Sequence, residues 1–293
     1  MIERSLEPRG PYSLRLSARA DSWRAALPGG RFAQAIELRR GEILVRASDE
    51  RAVEEARFLL ALDDDTSGFH RRFARDPLLG PATRALRGLR PLRTPTVAQA
   101  ALRAVAGQLV HARRARAIEH AIVRACGEDP PSQRALAALS SAELRACGLA
   151  SARAAALARL VRELDLEALR REEWPVARAR LRRMRGLGPW SVGVIALRGL
   201  GRYDVGLVGD LGLVRLLAAL RGRWPDPLET TELLAPYEEW QGVASIFLLA
   251  GLRQGLVPGA SPALARAAGT RGASPSAPRR RLGRAAAPLD SPA

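Results

Sequence analysis

Asp210 stands in Val208-Gly209-Asp210-Leu211-Gly212-Leu213-Val214, a carboxylate flanked by glycines at the head of an apolar stretch. An aspartate so placed caps the helix that follows by accepting backbone N–H bonds. Held ionised, it is also a charge that can stabilise a developing cation or orient a water. Twenty residues before Asp210 lies Trp190, at the end of Gly186-Leu187-Gly188-Pro189-Trp190. Glycine closes one helix and proline opens the next, so this stretch predicts helix, hairpin, helix. With no side chain on Gly186 or Gly188, backbone amides of the turn and of the second helix can approach a phosphate, while Leu187 points inward. A plain turn between two helices is the simpler alternative for the same residues. The arginines just before it, Arg178, Arg180, Arg182, Arg183 and Arg185, either attract phosphate or form an ordinary solvated face. Helix packing alone does not call for the hairpin and the aspartate together.

What the chain lacks narrows the chemistry. None of its 47 basic residues is lysine, so a Schiff base could come only from the N-terminal amine. A G+C-rich genome accounts for the arginine bias, but the chemical exclusion stands. Two cysteines, Cys126 and Cys147, cannot supply a four-thiolate zinc or iron–sulfur site, and they are too sparse for a disulfide scaffold. A reduced cytoplasm is the expected compartment. No apolar run reaches the roughly 18 residues of a membrane span, and the charged opening MIERSLEPRG is not a signal peptide.

The elements that must hold these residues follow from charge and periodicity. A chain of 293 residues with net charge +17 has ample material for a hydrophobic core and calls for a polyanionic partner. Residues 1–68 carry a net −1, residues 69–257 a net +13 and residues 258–293 a net +5. The first segment is expected as a small α+β domain. SLRLSA (13–18) and EILVRA (42–47) read as strands, Leu27-Pro28-Gly29-Gly30 as a turn, and 49–62 as a helix capped by Asp49. From Phe69 the pattern is helical. Thr94-Pro95-Thr96-Val97-Ala98-Gln99 offers a cap, a first-turn proline and a Thr-x-x-Gln box; Ser140-Ser141-Ala142-Glu143 offers Ser-x-x-Glu, with a stop at Gly148 and a new start at Ser151. The segment 258–293, rich in Pro, Ala, Ser and Gly and carrying the run Arg279-Arg280-Arg281, is expected to be disordered.

Together these residues resemble the helix-hairpin-helix DNA glycosylases, most of all 3-methyladenine DNA glycosylase II. The hairpin and Asp210 carry the resemblance, supported by Gly107-Gln108-Leu109 and by Trp240-Gln241-Gly242-Val243-Ala244. It covers 69–252 and implies a mainly α fold, the helical glycosylase domain preceded by the small α+β domain. Its implied function is monofunctional excision of alkylated purines such as 3-methyladenine from double-stranded DNA, leaving an abasic site. Asp210 would be the catalytic carboxylate, Trp190 would stack on the flipped base, and Val194, Leu211 and Leu249 would line the base pocket. Gly186, Leu187, Gly188, Pro189 and Gln108 would meet DNA, with Leu109 as the wedge that fills the gap left by the flipped nucleotide.

Lyase-competent members place a lysine where Trp190 stands, and this chain has none. Iron–sulfur members need four cysteines after the catalytic domain, and none follows Cys147. The family's aromatic pocket positions are aliphatic at Val194, Leu211 and Leu249, which keeps open a noncatalytic damage-recognition or architectural DNA-binding protein as the alternative. No cofactor or metal is required. Whether the hairpin holds a monovalent cation, as the family often does, is left open. A monomer is expected, with no membrane partner.

Overall fold

The computed structural model describes residues 1–38, 41–108, 110–261 and 263–267. Four antiparallel strands, β1 (Ile2–Leu6), β2 (Ser22–Leu27), β3 (Arg31–Glu37) and β4 (Ile43–Ala47), form one sheet in the order β1-β4-β3-β2. β2 and β3 join across the expected turn, where Gly29 and Gly30 take φ of 78° and 73°. Period-two alternation lets β4 bury Ile43, Val45 and Ala47 while Arg46 faces out. Two helices pack on the sheet, α1 (Leu14–Ala18) and α2 (Glu50–Leu59). α1 corrects the expectation of a strand at SLRLSA: the Ser13 hydroxyl accepts the Leu16 N–H and closes a helical turn that buries Leu14. Over so few residues, alternating leucines fit one helical turn as well as a strand. α2 starts as expected, with Asp49 accepting from the Ala52 N–H at 2.8 Å.

The helical body comprises α3 (Ser67–Phe73), α4 (Gly80–Ala85), α5 (Val97–Gly107), α6 (Ala112–Cys126), α7 (Gln133–Ala138), α8 (Ser141–Ala146) and α9 (Ser151–Glu163), then α10 (Trp174–Arg183), α11 (Pro189–Val194), α12 (Leu211–Arg221), α13 (Thr230–Leu234) and α14 (Gln241–Gln254). α5 is its hub: it buries Val97, Ala98, Ala101, Leu102 and Val105 and packs against α6, α9 and α11. Its cap is Thr96, which accepts from the Gln99 N–H at 3.0 Å, so Pro95 precedes the cap instead of occupying the first turn. The Ser140–Glu143 capping box is reciprocal, and α8 and α9 stop and start where the sequence sets them.

Two cores result, one from Leu6 to Leu62 and one from Phe69 onward. Arginines mortar the seam between them. Arg90, 1% exposed, donates to the carbonyls of Pro11 at 2.8 Å and Leu62 at 3.2 Å, and also to those of Arg9 and Ala61. Arg93 reaches the Phe58 carbonyl at 3.0 Å and the Asp64 carboxylate, and Arg198 reaches the Leu92 carbonyl at 2.6 Å. A guanidinium carries five N–H donors in a plane, which suits it to several diverging carbonyls where an ammonium would reach fewer. The ordered chain also runs past 258. Residues 263–267 are helical, and Ala260 and Ala265 pack on the helical core, so the expected disorder does not begin there; residues 268–293 lie outside the described residues.

Candidate active site

The hairpin forms where glycine and proline set it. α10 ends at Arg183, Gly186 takes φ +94°, Gly188 caps α11 in extended conformation, and Pro189 fills its first position. A Cβ on Gly186 would lie 2.6 Å from the Ala156 Cβ, so this glycine serves both the turn and its packing on α9. A Cβ on Gly188 would meet nothing within 4 Å. Gly188 and Pro189 are exposed, and Leu187 is half-buried against the core. The first N–H groups of α11 have no carbonyl one turn back, so those of Trp190 and Ser191 remain to be met from outside the helix. Arg178, Arg182, Arg183 and Arg185 are exposed, while Arg180 pairs with Glu172.

Asp210 sits where the loop 201–209 turns into α12. Its Oδ1 accepts from the Gly212 N–H at 2.7 Å and the Leu213 N–H at 3.4 Å, the helix cap that its position implies. The loop before it is pinned from several sides: Gly242 N–H donates to the Tyr203 carbonyl at 2.7 Å, Leu207 N–H to Ser245 Oγ at 3.1 Å, and Gly209 N–H to Thr230 Oγ1 at 2.7 Å. Gly242 and Ser245 belong to α14, which explains why Trp240-Gln241-Gly242-Val243-Ala244 accompanies the hairpin and the aspartate. Hairpin and carboxylate then meet directly. The Trp190 indole Nε1–H donates to Asp210 Oδ2 at 2.9 Å.

The opposite edge of that indole rests on the end of α5. A Cβ on Gly107 would fall 2.6 Å from Trp190 Cη2 and 3.5 Å from Cζ2 and Cζ3. Gln108 follows, and its side-chain amide spends both N–H bonds within the protein, on the Gly186 carbonyl at 2.7 Å and on Ser191 Oγ at 2.9 Å. It thereby braces the hairpin, and Arg153 in turn holds the Gln108 carbonyl at 2.9 Å. Leu109, the expected wedge, lies outside the described residues.

The expected pocket residues divide. Trp190, Leu211 and Leu249 are half-buried, whereas Val194 is 7% exposed and belongs to the helical core. Leu249 lies over the start of α12, where a Cβ on Gly212 would be 2.4 Å from its Cδ2. Two clefts, of about 340 and 270 Å³, lie in the N-terminal domain and at its seam with the helical body; Asp210 lines neither. Gly107, given no role of its own in the resemblance, is where the indole edge rests, and Arg253 stands one turn beyond Leu249 on α14. Partial burial and the charge of Arg19 pull the Arg253 guanidinium below the usual arginine value, and Asp210 opposes them. Among the described residues, no three or more of His, Cys, Asp and Glu are grouped to hold a metal ion, and no helix is long and apolar enough to cross a membrane.

No protein-family model matches the chain. A DNA-3-methyladenine glycosylase of Bacillus subtilis (strain 168) is 28% identical over 204 residues, 64% of this chain and 67% of that protein. Among solved structures, a 3-methyladenine DNA-glycosylase from Archaeoglobus fulgidus superposes with a TM-score of 0.73 at 20% identity, covering 87% of this chain and 99% of the other. An 8-oxoguanine glycosylase/lyase of Clostridium acetobutylicum, in complex with double-stranded DNA, gives 0.67 at 15% identity with the same coverage, 87% and 99%. In sequence and in fold the chain thus resembles the helix-hairpin-helix DNA glycosylases, the family to which the Gly186–Trp190 hairpin and Asp210 point.

Proposed function

We propose that this chain is a monofunctional DNA glycosylase that excises alkylated purines such as 3-methyladenine from double-stranded DNA. The observation that carries the reading is the 2.9 Å bond from Trp190 to Asp210, which joins the glycine hairpin to a carboxylate that caps α12. The hairpin amides and the exposed arginines of α10 take the backbone of the damaged strand, and the nucleotide turns out of the stack toward Trp190. An alkylated purine is already cationic, so the electrons of the C1′–N bond leave with the base and neutralise it without strong acid help. The sugar becomes oxocarbenium-like, and the Asp210 carboxylate stabilises that charge. A water then adds to C1′ and loses a proton, giving a free base and an abasic site. Because the chain has no lysine, no side-chain amine can attack C1′, and the reaction stops before strand cleavage. The aliphatic Leu211 and Leu249 stack poorly, so selectivity rests on the lability of cationic lesions and on the indole face, which attracts a cation.

The test is base release from methylated duplex DNA, with Asp210→Asn as the comparison. The wild-type chain is expected to release 3-methyladenine without nicking the strand. Asp210→Asn is expected to release none while still binding an abasic-site analogue. Near wild-type excision by the variant would refute the role of Asp210. Tight binding to the abasic analogue with no base release by the wild-type chain would favour the noncatalytic reading.

A further inference from the structure

We infer that Trp190 is a positioning residue for Asp210, acting through its indole N–H, with Gly107 as the seat that aims it. The inference rests on the reading of Asp210 as the reactive carboxylate and assigns Trp190 a task beyond stacking on a base. The two backbone N–H bonds of the helix cap both fall on Oδ1 of Asp210. A carboxylate held by one oxygen can still swing its other oxygen about the side-chain torsion, and Oδ2 is the oxygen left to face a sugar. Trp190 supplies the second anchor, at 2.9 Å. Indole nitrogen only donates, so this bond has one polarity.

The ring has little freedom to do otherwise. Its six-membered edge meets the α5 backbone at Gly107, where a methyl group would lie 2.6 Å from Cη2. Its N–H edge meets Asp210. The helix end that seats it is tied in turn, because Gln108 bonds the Gly186 carbonyl and the Ser191 hydroxyl and Arg153 bonds the Gln108 carbonyl. Gly107, Trp190 and Asp210 therefore form one line of contact from α5 through the hairpin to the start of α12. A tryptophan kept only for its face would need neither the glycine at one edge nor the carboxylate at the other.

The experiment separates the donor from the face. Trp190→Phe and replacement of Trp190 by its benzothiophene isostere, which keeps the ring area and loses the N–H, are compared with wild type for base release from methylated duplex. Both are expected to lose roughly 10- to 100-fold in kcat, the size of one hydrogen bond to a charged group. KM and affinity for an abasic-site analogue should change less than about threefold for the isostere, whose packing on Gly107 is unchanged. An isostere with wild-type kcat overturns the inference and leaves Trp190 a stacking surface. Excision retained by Asp210→Asn alone overturns it for a different reason, by removing the reading of Asp210 on which it rests.

Discussion

Replacing Gly107 by alanine tests the seat of Trp190 without touching the indole or the carboxylate. The new methyl would lie 2.6 Å from Cη2, where carbon atoms in contact sit about 3.5–4.0 Å apart, so something must yield by about 1 Å. The helix end is held by Gln108 and Arg153, and the ring is the movable partner. Because Gly107 and Asp210 meet opposite edges of the indole, a displacement of that size drives Nε1 against Asp210, so the ring must tilt or the carboxylate turn and the 2.9 Å geometry is lost. Overpacking of this kind costs about 1–3 kcal/mol, and exchanging glycine for alanine in a helix returns up to about 1 kcal/mol. The net is a destabilisation of about 0–3 kcal/mol, a fall in melting temperature of at most roughly 12 °C. Single-turnover base release should fall at least about 10-fold, while binding to an abasic analogue, which does not need the carboxylate, should persist. The assay is the rate on methylated duplex beside a thermal melt of the same preparation. A Gly107→Ala chain that is as fast as wild type, whatever its melting temperature, would show that the ring edge is not held where the geometry puts it.

The two hairpin glycines should respond in opposite ways. Gly186→Ala forces a side chain into φ +94° and against Ala156, so it should lower stability by about 1–3 kcal/mol in a denaturant titration. Gly188→Ala adds a methyl in open space, so stability should hold within about 0.5 kcal/mol while affinity for DNA falls; unchanged affinity would remove the phosphate-binding role of the turn. Burial, then Glu128 and Cys147, push the Cys126 thiol up to about 11. Because the thiolate is the reacting form, alkylation of Cys126 at about pH 8 should be slow and should speed up as the pH rises through about 11. A rate like that of a free thiol at about pH 8 would contradict that environment.

The hairpin and the cap at Asp210 were legible because glycine, proline and a capping aspartate act on the backbone within a few residues of themselves. The same holds for Asp49, for Ser140 with Glu143, and for the Gly29-Gly30 turn. Harder cases divide by cause. β1 escaped notice because IERSL is an edge strand with one buried residue, Leu6, and charged neighbours. α1 looked like a strand because five residues cannot distinguish the two periods. The bracing of the hairpin by Gln108 is not legible, because its partners Gly186 and Ser191 lie 78 and 83 residues away in the chain, a relation that no local pattern carries. Val194 follows Trp190 by one turn, but α11 directs it into the core, whereas Leu249 reaches the start of α12 from a distant helix. The residue types of a site can be listed from a sequence; which of them share a wall depends on helix rotation.

Asp210 is held by backbone amides on one side and by a seated indole on the other, and this would divide the labour of the proposed reaction. The reacting carboxylate has little left to arrange when substrate arrives. Its atoms, with those of Trp190, should superpose between free and DNA-bound protein. Conformational change would then fall on the duplex, which must bend and release a nucleotide toward a carboxylate and an indole already in place. A lesion that weakens its own stacking is admitted more readily, so damage would be sorted first by how easily DNA deforms and only afterwards by what the protein touches.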